Sequence, residues 1–141
     1  SAFLPLVKDD PPLKHCRILM DDALKIVHSL IPASADYLYI LNPDPWPKSR
    51  HHKRRVVSPE NLTAFARVLK DGGTMIQTTD VDDLADWMVT QTINCPDFEW
   101  QAESSKDWQT SPKGWLPTRY EEKGREAGRK QTYLIYKRRP R

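Results

Sequence analysis

The run Tyr37-Leu38-Tyr39-Ile40-Leu41, stopped at once by Asn42-Pro43-Asp44-Pro45-Trp46-Pro47, constrains the fold more than any other segment. Apolar and aromatic residues without alternation mark a strand covered on both faces, as in a parallel sheet. Prolines at 43, 45 and 47 cannot donate to a ladder and hold the residues before them extended, so the strand must end at Leu41. Asp44, between two prolines, is therefore presented on a stiff turn. Rigid presentation of one carboxylate suits binding or catalysis, where misplacement is costly in rate. An ordinary strand-ending turn with an exposed acid is the plainer alternative.

The flanking pattern alternates strands with helices. Arg17-Ile18-Leu19-Met20 reads as a short strand, and a helix capped by Asp21 or Asp22 follows, with Leu24, Val27 and Leu30-Ile31 at helical spacing before Pro32. Ser58 is a good N-cap and Pro59 suits the first helical position. Leu62, Phe65, Ala66 and Leu69 make that helix's apolar stripe, and Gly72-Gly73 ends it. Thr74 to Thr79 is a further strand, with Asp80 placed to cap a helix whose apolar face is Leu84, Trp87 and Met88. Phe98 to Ala102 and Gln131 to Tyr136 read as late strands. The polar stretch between them is too long for an idle connection in a compact domain. The expected fold is one α/β domain over 1–141, with 1–14 a connector or ragged start and 137–141 a basic tail. Its sheet is doubly wound and mostly parallel, and ligands of such sheets bind beyond the carboxyl ends of the strands, where Asp44 and Asp80 both fall.

Composition narrows the class. Mean hydropathy is negative and no apolar run approaches the roughly 20 residues that span a bilayer. The N-terminus lacks the charged and apolar segments of a signal peptide, and two distant cysteines, Cys16 and Cys95, fit a reducing cytosol, so a cytoplasmic location is expected. Net charge is only +3, yet the positive residues cluster. Lys48, Arg50, Lys53, Arg54 and Arg55 surround His51 and His52, and Lys137-Arg138-Arg139 with Arg141 forms a second group. Dense like charge repels itself unless a polyanion is near. The first block suits nucleic acid, or else is a solvated loop; the second reads as a tail.

Other residues carry less. Asp80 is equally a helix cap, as is Asp22. His15, His51, His52, Cys16 and Cys95 match no ligand spacing, and a metal site is not expected. Gly124 and Gly128 lie in a polar stretch, not in a phosphate-binding strand-to-helix turn. The tryptophans suit base stacking or a core.

The ordered run from Leu41 to Arg55, with its Pro-Asp-Pro-Trp turn, Lys48, Arg50-His51 and Lys53-Arg54-Arg55, resembles the tRNA (guanine-N7)-methyltransferases. Asp22-Ala23, Thr79-Asp80 and Thr118-Arg119-Tyr120-Glu121 agree in order and approximate spacing, so the resemblance runs from about Cys16 to Tyr136. Asn42 stands where the family usually has Phe, and Arg119 where it commonly has Lys.

The resemblance implies a class I (Rossmann-like) methyltransferase with an antiparallel late strand. The implied activity is methyl transfer from S-adenosylmethionine to N7 of a guanine in the variable loop of tRNA (position 46). It implies that Asp22 lies beside the cofactor's adenosine and that Asp44 borders methyl donor and base as the catalytic residue. Lys48, Asp80, Thr118, Arg119, Tyr120 and Glu121 would contact the substrate, and Arg50 to Arg55 the RNA. The family's opening strand, glycine-rich turn and ribose-binding acid have no counterpart here. The strand at Arg17–Met20 matches the family's third, so two strands are expected to be missing between it and Tyr37–Leu41. A tRNA-binding module without catalysis, and a methyltransferase of another nucleic acid, are the competing readings.

Overall fold

A computed structural model describes residues 16–19 and 24–141. In chain order these form β1 (Cys16–Leu19), α1 (Leu24–Ser29), β2 (Ala35–Leu41), a 3-10 turn (Ser49–Arg54), α2 (Pro59–Val68), β3 (Leu69–Thr79), α3 (Asp82–Ile93), β4 (Phe98–Trp100), α4 (Ser105–Gln109), α5 (Arg119–Glu126) and β5 (Thr132–Arg138). The sheet order is β1-β2-β3-β5-β4. β1, β2 and β3 pair in parallel, and β5 runs antiparallel to both β3 and β4. Four strands thus point one way and one late strand opposes them, as expected for a class I methyltransferase sheet. Among the described residues no helix is long and apolar enough to cross a membrane.

The unbroken apolar run of β2 serves two cores. Leu38 and Ile40 pack with Leu62 and Phe65 of α2, Leu84 and Met88 of α3, and Met75 and Leu134 of the neighbouring strands. Tyr37, Tyr39 and Leu41 join Ile76, Ile135 and Trp115 in a smaller cluster. Phe65, Leu38 and Leu62 are fully buried, and each such side chain contributes about 1.5–3 kcal/mol through removal from water. Helix α2 starts as its sequence dictates: Ser58 Oγ accepts the Asn61 N–H at 3.2 Å, and Pro59 opens the first turn.

Four features extend or correct the expectations. First, the two strands expected to be missing are absent among the described residues, and β1 pairs directly with β2 instead: Cys16 lies opposite Tyr37 and Leu19 opposite Ile40. A buried strand cannot leave one edge of N–H and C=O groups unpaired without cost, and β1 supplies that pairing. Second, β3 begins at Leu69 rather than Thr74. The step from Ala35 to Tyr37 in β2 faces the longer step from Leu69 to Thr74, a bulge that turns through Gly72 at φ +76°. A Cβ on Gly73 would lie 2.9 Å from the Lys70 carbonyl oxygen, so the bulge needs glycine there.

Third, the polar stretch after β4, which ends at Trp100, holds α4 and α5, each opened by a capping box. Fourth, the basic end is no tail. Lys137 and Arg138 belong to β5, and buried Arg138 donates from Nε to the Ala66 carbonyl at 2.9 Å. Arg141 Nη2 donates to the carbonyls of Ala66, Arg67 and Leu69. These carbonyls lie at the C-terminal end of α2, where a cation is favoured.

Candidate functional site

The site is built at the carboxyl ends of β2 and β3. The strand stops because Asn42 enters the left-handed region (φ +47°), which asparagine tolerates. Its N–H donates to the Thr78 carbonyl at 2.9 Å and its Oδ1 accepts from Gln131 Nε2 at 2.9 Å, so the turn is anchored to β3 and to the chain before β5. Trp46 also has positive φ (+40°), a conformation that costs a bulky residue on the order of 1–3 kcal/mol.

Its neighbours offset that cost. Arg54 lies over the Trp46 ring at 5.0 Å, His51 meets it edge-on at 5.8 Å, and Arg55 Nε donates to the Pro45 carbonyl at 2.8 Å. A cation over a ring is worth about 0.5–1 kcal/mol at an exposed site, and a charged hydrogen bond about 1.5–3. Asp44 is held between these two supports. It is exposed, and among the described residues its carboxylate has no hydrogen-bond or ion-pair partner.

The basic block folds back on this turn as the 3-10 segment. Lys48, Arg50, Lys53 and Arg54 are exposed, while His51 and His52 are half-buried. His52 lies against the Trp87 ring at 5.4 Å. Arg55 departs from its expected RNA-contacting role: it is 2% exposed. Besides Pro45 it donates to Asp83 Oδ2 at 2.8 Å and lies over the Trp87 ring at 5.0 Å. The Arg55 hydrogen bond holds the Asp83 carboxyl below its usual range. Arg55 is a strut tying the turn to α3, and burial leaves it nothing to offer a phosphate.

Asp80 follows β3. The residue before α3 is Val81, whose N–H donates to Thr79 Oγ1 at 3.1 Å, so the Asp80 side chain is not the helix cap. Its carboxylate, only 5% exposed, accepts from Tyr120 Oη at 3.2 Å and from Arg129 Nε at 2.6 Å. Tyr120 lies in the first turn of α5, where the Thr118-Arg119-Tyr120-Glu121 segment divides by direction. Thr118 and Glu121 are buried and bind each other's backbone in a capping box. Glu121 also accepts the Trp115 indole N–H at 3.0 Å. Burial and the facing Glu121 carboxylate push the Tyr133 phenol up to about 12. Arg119 and Tyr120 remain exposed. Beside them a groove of about 640 Å³ runs between α4 and α5, lined among others by Trp108, Arg125, Arg129 and Lys130.

The family model described as "Putative methyltransferase" matches residues 8–134. A tRNA (guanine-N(7)-)-methyltransferase of Rhizobium meliloti is 43% identical over 126 residues, which is 89% of this chain and 54% of that protein. Another, from Rhodospirillum rubrum, is 38% identical over 133 residues, 94% of this chain and 52% of that protein. The chain belongs to the tRNA (guanine-N7)-methyltransferase family. It spans about half the length of the curated relatives it matches. A solved structure from Thermus thermophilus, described as a "putative DNA modification methylase", shares the fold, with TM-score 0.51 at 12% identity, covering 90% of this chain and 53% of that one.

The structure gathers Asp44, the exposed basic residues, Asp80, Arg119 and Tyr120 at one end of the sheet. Asp22 lies outside the described residues. Sequence reasoning missed Arg129, Gln131 and Asp83. The partners of Gln131 and Arg129, Asn42 and Asp80, lie 89 and 49 residues away in sequence, so no local pattern marks either. The Thr118-x-x-Glu121 spacing, by contrast, is a capping-box signature that sequence alone carries.

Proposed function

We propose that the full-length protein transfers a methyl group from S-adenosylmethionine to N7 of a guanine in tRNA, and that this chain carries the catalytic turn and the RNA-facing surface. The observation that carries the reading is Asp44: an exposed carboxylate without a cation of its own, fixed between two anchored supports on the turn that ends β2. Such a group fits a sulfonium donor, and when bound S-adenosylmethionine supplies the methyl group as an electrophile. Asp44 would border that donor and the base, and Asp22 the adenosine.

Guanine N7 has an in-plane lone pair, so no base need remove a proton before attack. As the N7–methyl bond forms, positive charge develops on the purine. A fixed carboxylate near that charge lowers the barrier without reorganising. Asp44 therefore acts by position and charge rather than by proton transfer.

Exposed Lys48, Arg50, Lys53 and Arg54 meet tRNA phosphates, with His51 and His52 between them, and binding becomes strongly salt-dependent. Arg119 and Tyr120 face the target nucleotide, while Asp80, Thr118 and Glu121 hold them in place. Modifying tRNA suits a cytoplasmic enzyme.

The test is transfer of a labelled methyl group from S-adenosylmethionine to unmodified tRNA by the full-length protein, with a transcript lacking the variable-loop guanine as control. Label that depends on that guanine is expected. Label on both transcripts alike, or on neither, contradicts the reading.

A further inference from the structure

Asp80 is covered by what binds it. Its carboxylate is almost entirely buried, whereas the side chain of Arg129 is 46% exposed and Tyr120 is 49% exposed. The guanidinium lies 5.7 Å from the Tyr120 ring centroid. Gly124 packs directly beneath the pair: a Cβ there would lie 3.4 Å from the guanidinium and 3.5 Å from Asp80 Oδ2, in van der Waals contact with both. Nε of Arg129 is taken by Asp80, and among the described residues its Nη groups bind no acceptor. What this corner presents outward is therefore an aromatic ring and a fork of N–H donors whose charge is already neutralised.

That combination distinguishes Arg129 from Arg50, Lys53 and Arg54, which have no ion-pair partner among the described residues and suit phosphates. A guanidinium paired with a carboxylate attracts a phosphate weakly but still donates to a neutral carbonyl oxygen. Neutrality also matters for the reaction. Methylation makes the purine cationic, and an unpaired guanidinium beside it would oppose the transition state.

We propose that the Nη groups of Arg129, aimed and neutralised by Asp80, donate to O6 of the target guanine lying against Tyr120. Arg129 is then the specificity-determining contact and Asp80 a positioning residue. The inference rests on the guanine methylation proposed above. An adenine would turn an amino donor toward the guanidinium donors and be rejected.

The experiment compares kcat/KM for methyl transfer by the full-length protein, with guanine or 2-aminopurine, which lacks O6, at the target position of the tRNA. Wild type is expected to lose about tenfold or more on removal of O6, in line with one good polar contact. Arg129→Ala should be slowed by a comparable factor on guanine and lose almost nothing further on 2-aminopurine. Arg129→Lys, which keeps the charge without the fork, should recover part of the guanine rate. Asp80→Asn should lower kcat more than it raises KM. If wild type and Arg129→Ala lose the same factor with O6, with melting temperatures alike, Arg129 does not read that atom. If wild type methylates neither transcript, the proposed reaction fails and this inference with it.

Discussion

Two corners of the molecule combine arginine, aromatic rings and a carboxylate, and they use them in opposite ways. After β2, Asp44 and the exposed Lys48, Arg50 and Lys53 have no charge partner among the described residues, and only Arg55 is turned inward. Around α5 nearly every group the sequence marks is spent internally. Thr118 and Glu121 cap the helix, and Asp80 is covered by Tyr120 and Arg129. Charge left free is what a polyanion or a developing cation can use. Charge paired within the protein can still shape a site, but it acts as geometry rather than as a field.

The largest effect is expected at Asp44, the free charge proposed to be catalytic. Asp44→Ala should lower methyl transfer at least about 100-fold, as removal of one electrostatic stabiliser does, while tRNA binding stays within a few-fold. Turnover near wild type would move the catalytic group elsewhere.

Arg55 tests the division inside the basic block. Arg55→Ala should cost about 2–3 kcal/mol of stability in urea unfolding, because it empties a buried site and strands the Pro45 carbonyl. A stable variant with weakened tRNA binding would return Arg55 to the RNA surface.

The inward character of the α5 corner has a pH signature. Tyr133 is neutral in both folded and unfolded states below about pH 10. Between that and its folded value of about 12, the unfolded chain releases the proton and the folded one keeps it, so stability falls as pH rises. The full loss from this group is at most about 2–3 kcal/mol. Tyr133→Phe should make the alkaline decline shallower; an unchanged slope would remove Tyr133 from the packed Glu121 cluster.

A smaller effect is expected at Ser58, where Ser58→Ala should lower the unfolding free energy by about 1 kcal/mol without changing tRNA affinity. A change in affinity instead would mean that the start of α2 reaches the RNA.

What was legible in the sequence follows from how local each cause is. The β2 run and the Ser58-Pro59 start of α2 are written in adjacent residues, and both formed where expected. The Pro-Asp-Pro-Trp turn was legible as rigid, but its rigidity comes partly from distant Arg55 and Gln131 bonds. Gly72-Gly73 read as a helix stop, whereas the helix ends at Val68 and these glycines form a bulge within β3. Lys137 and Arg138 read as a tail because their charge hid the alternation of a strand lying over α2. Arg129 and Asp80 were illegible as a pair, since only the fold brings them together.

The division of labour between the two corners is tested most directly by the salt dependence of tRNA binding for wild type, Arg50→Ala and Arg129→Ala. The slope of log K against log salt should fall by about one unit-phosphate increment for Arg50→Ala and stay at the wild-type value for Arg129→Ala. A slope that falls for Arg129→Ala and not for Arg50→Ala would contradict the account.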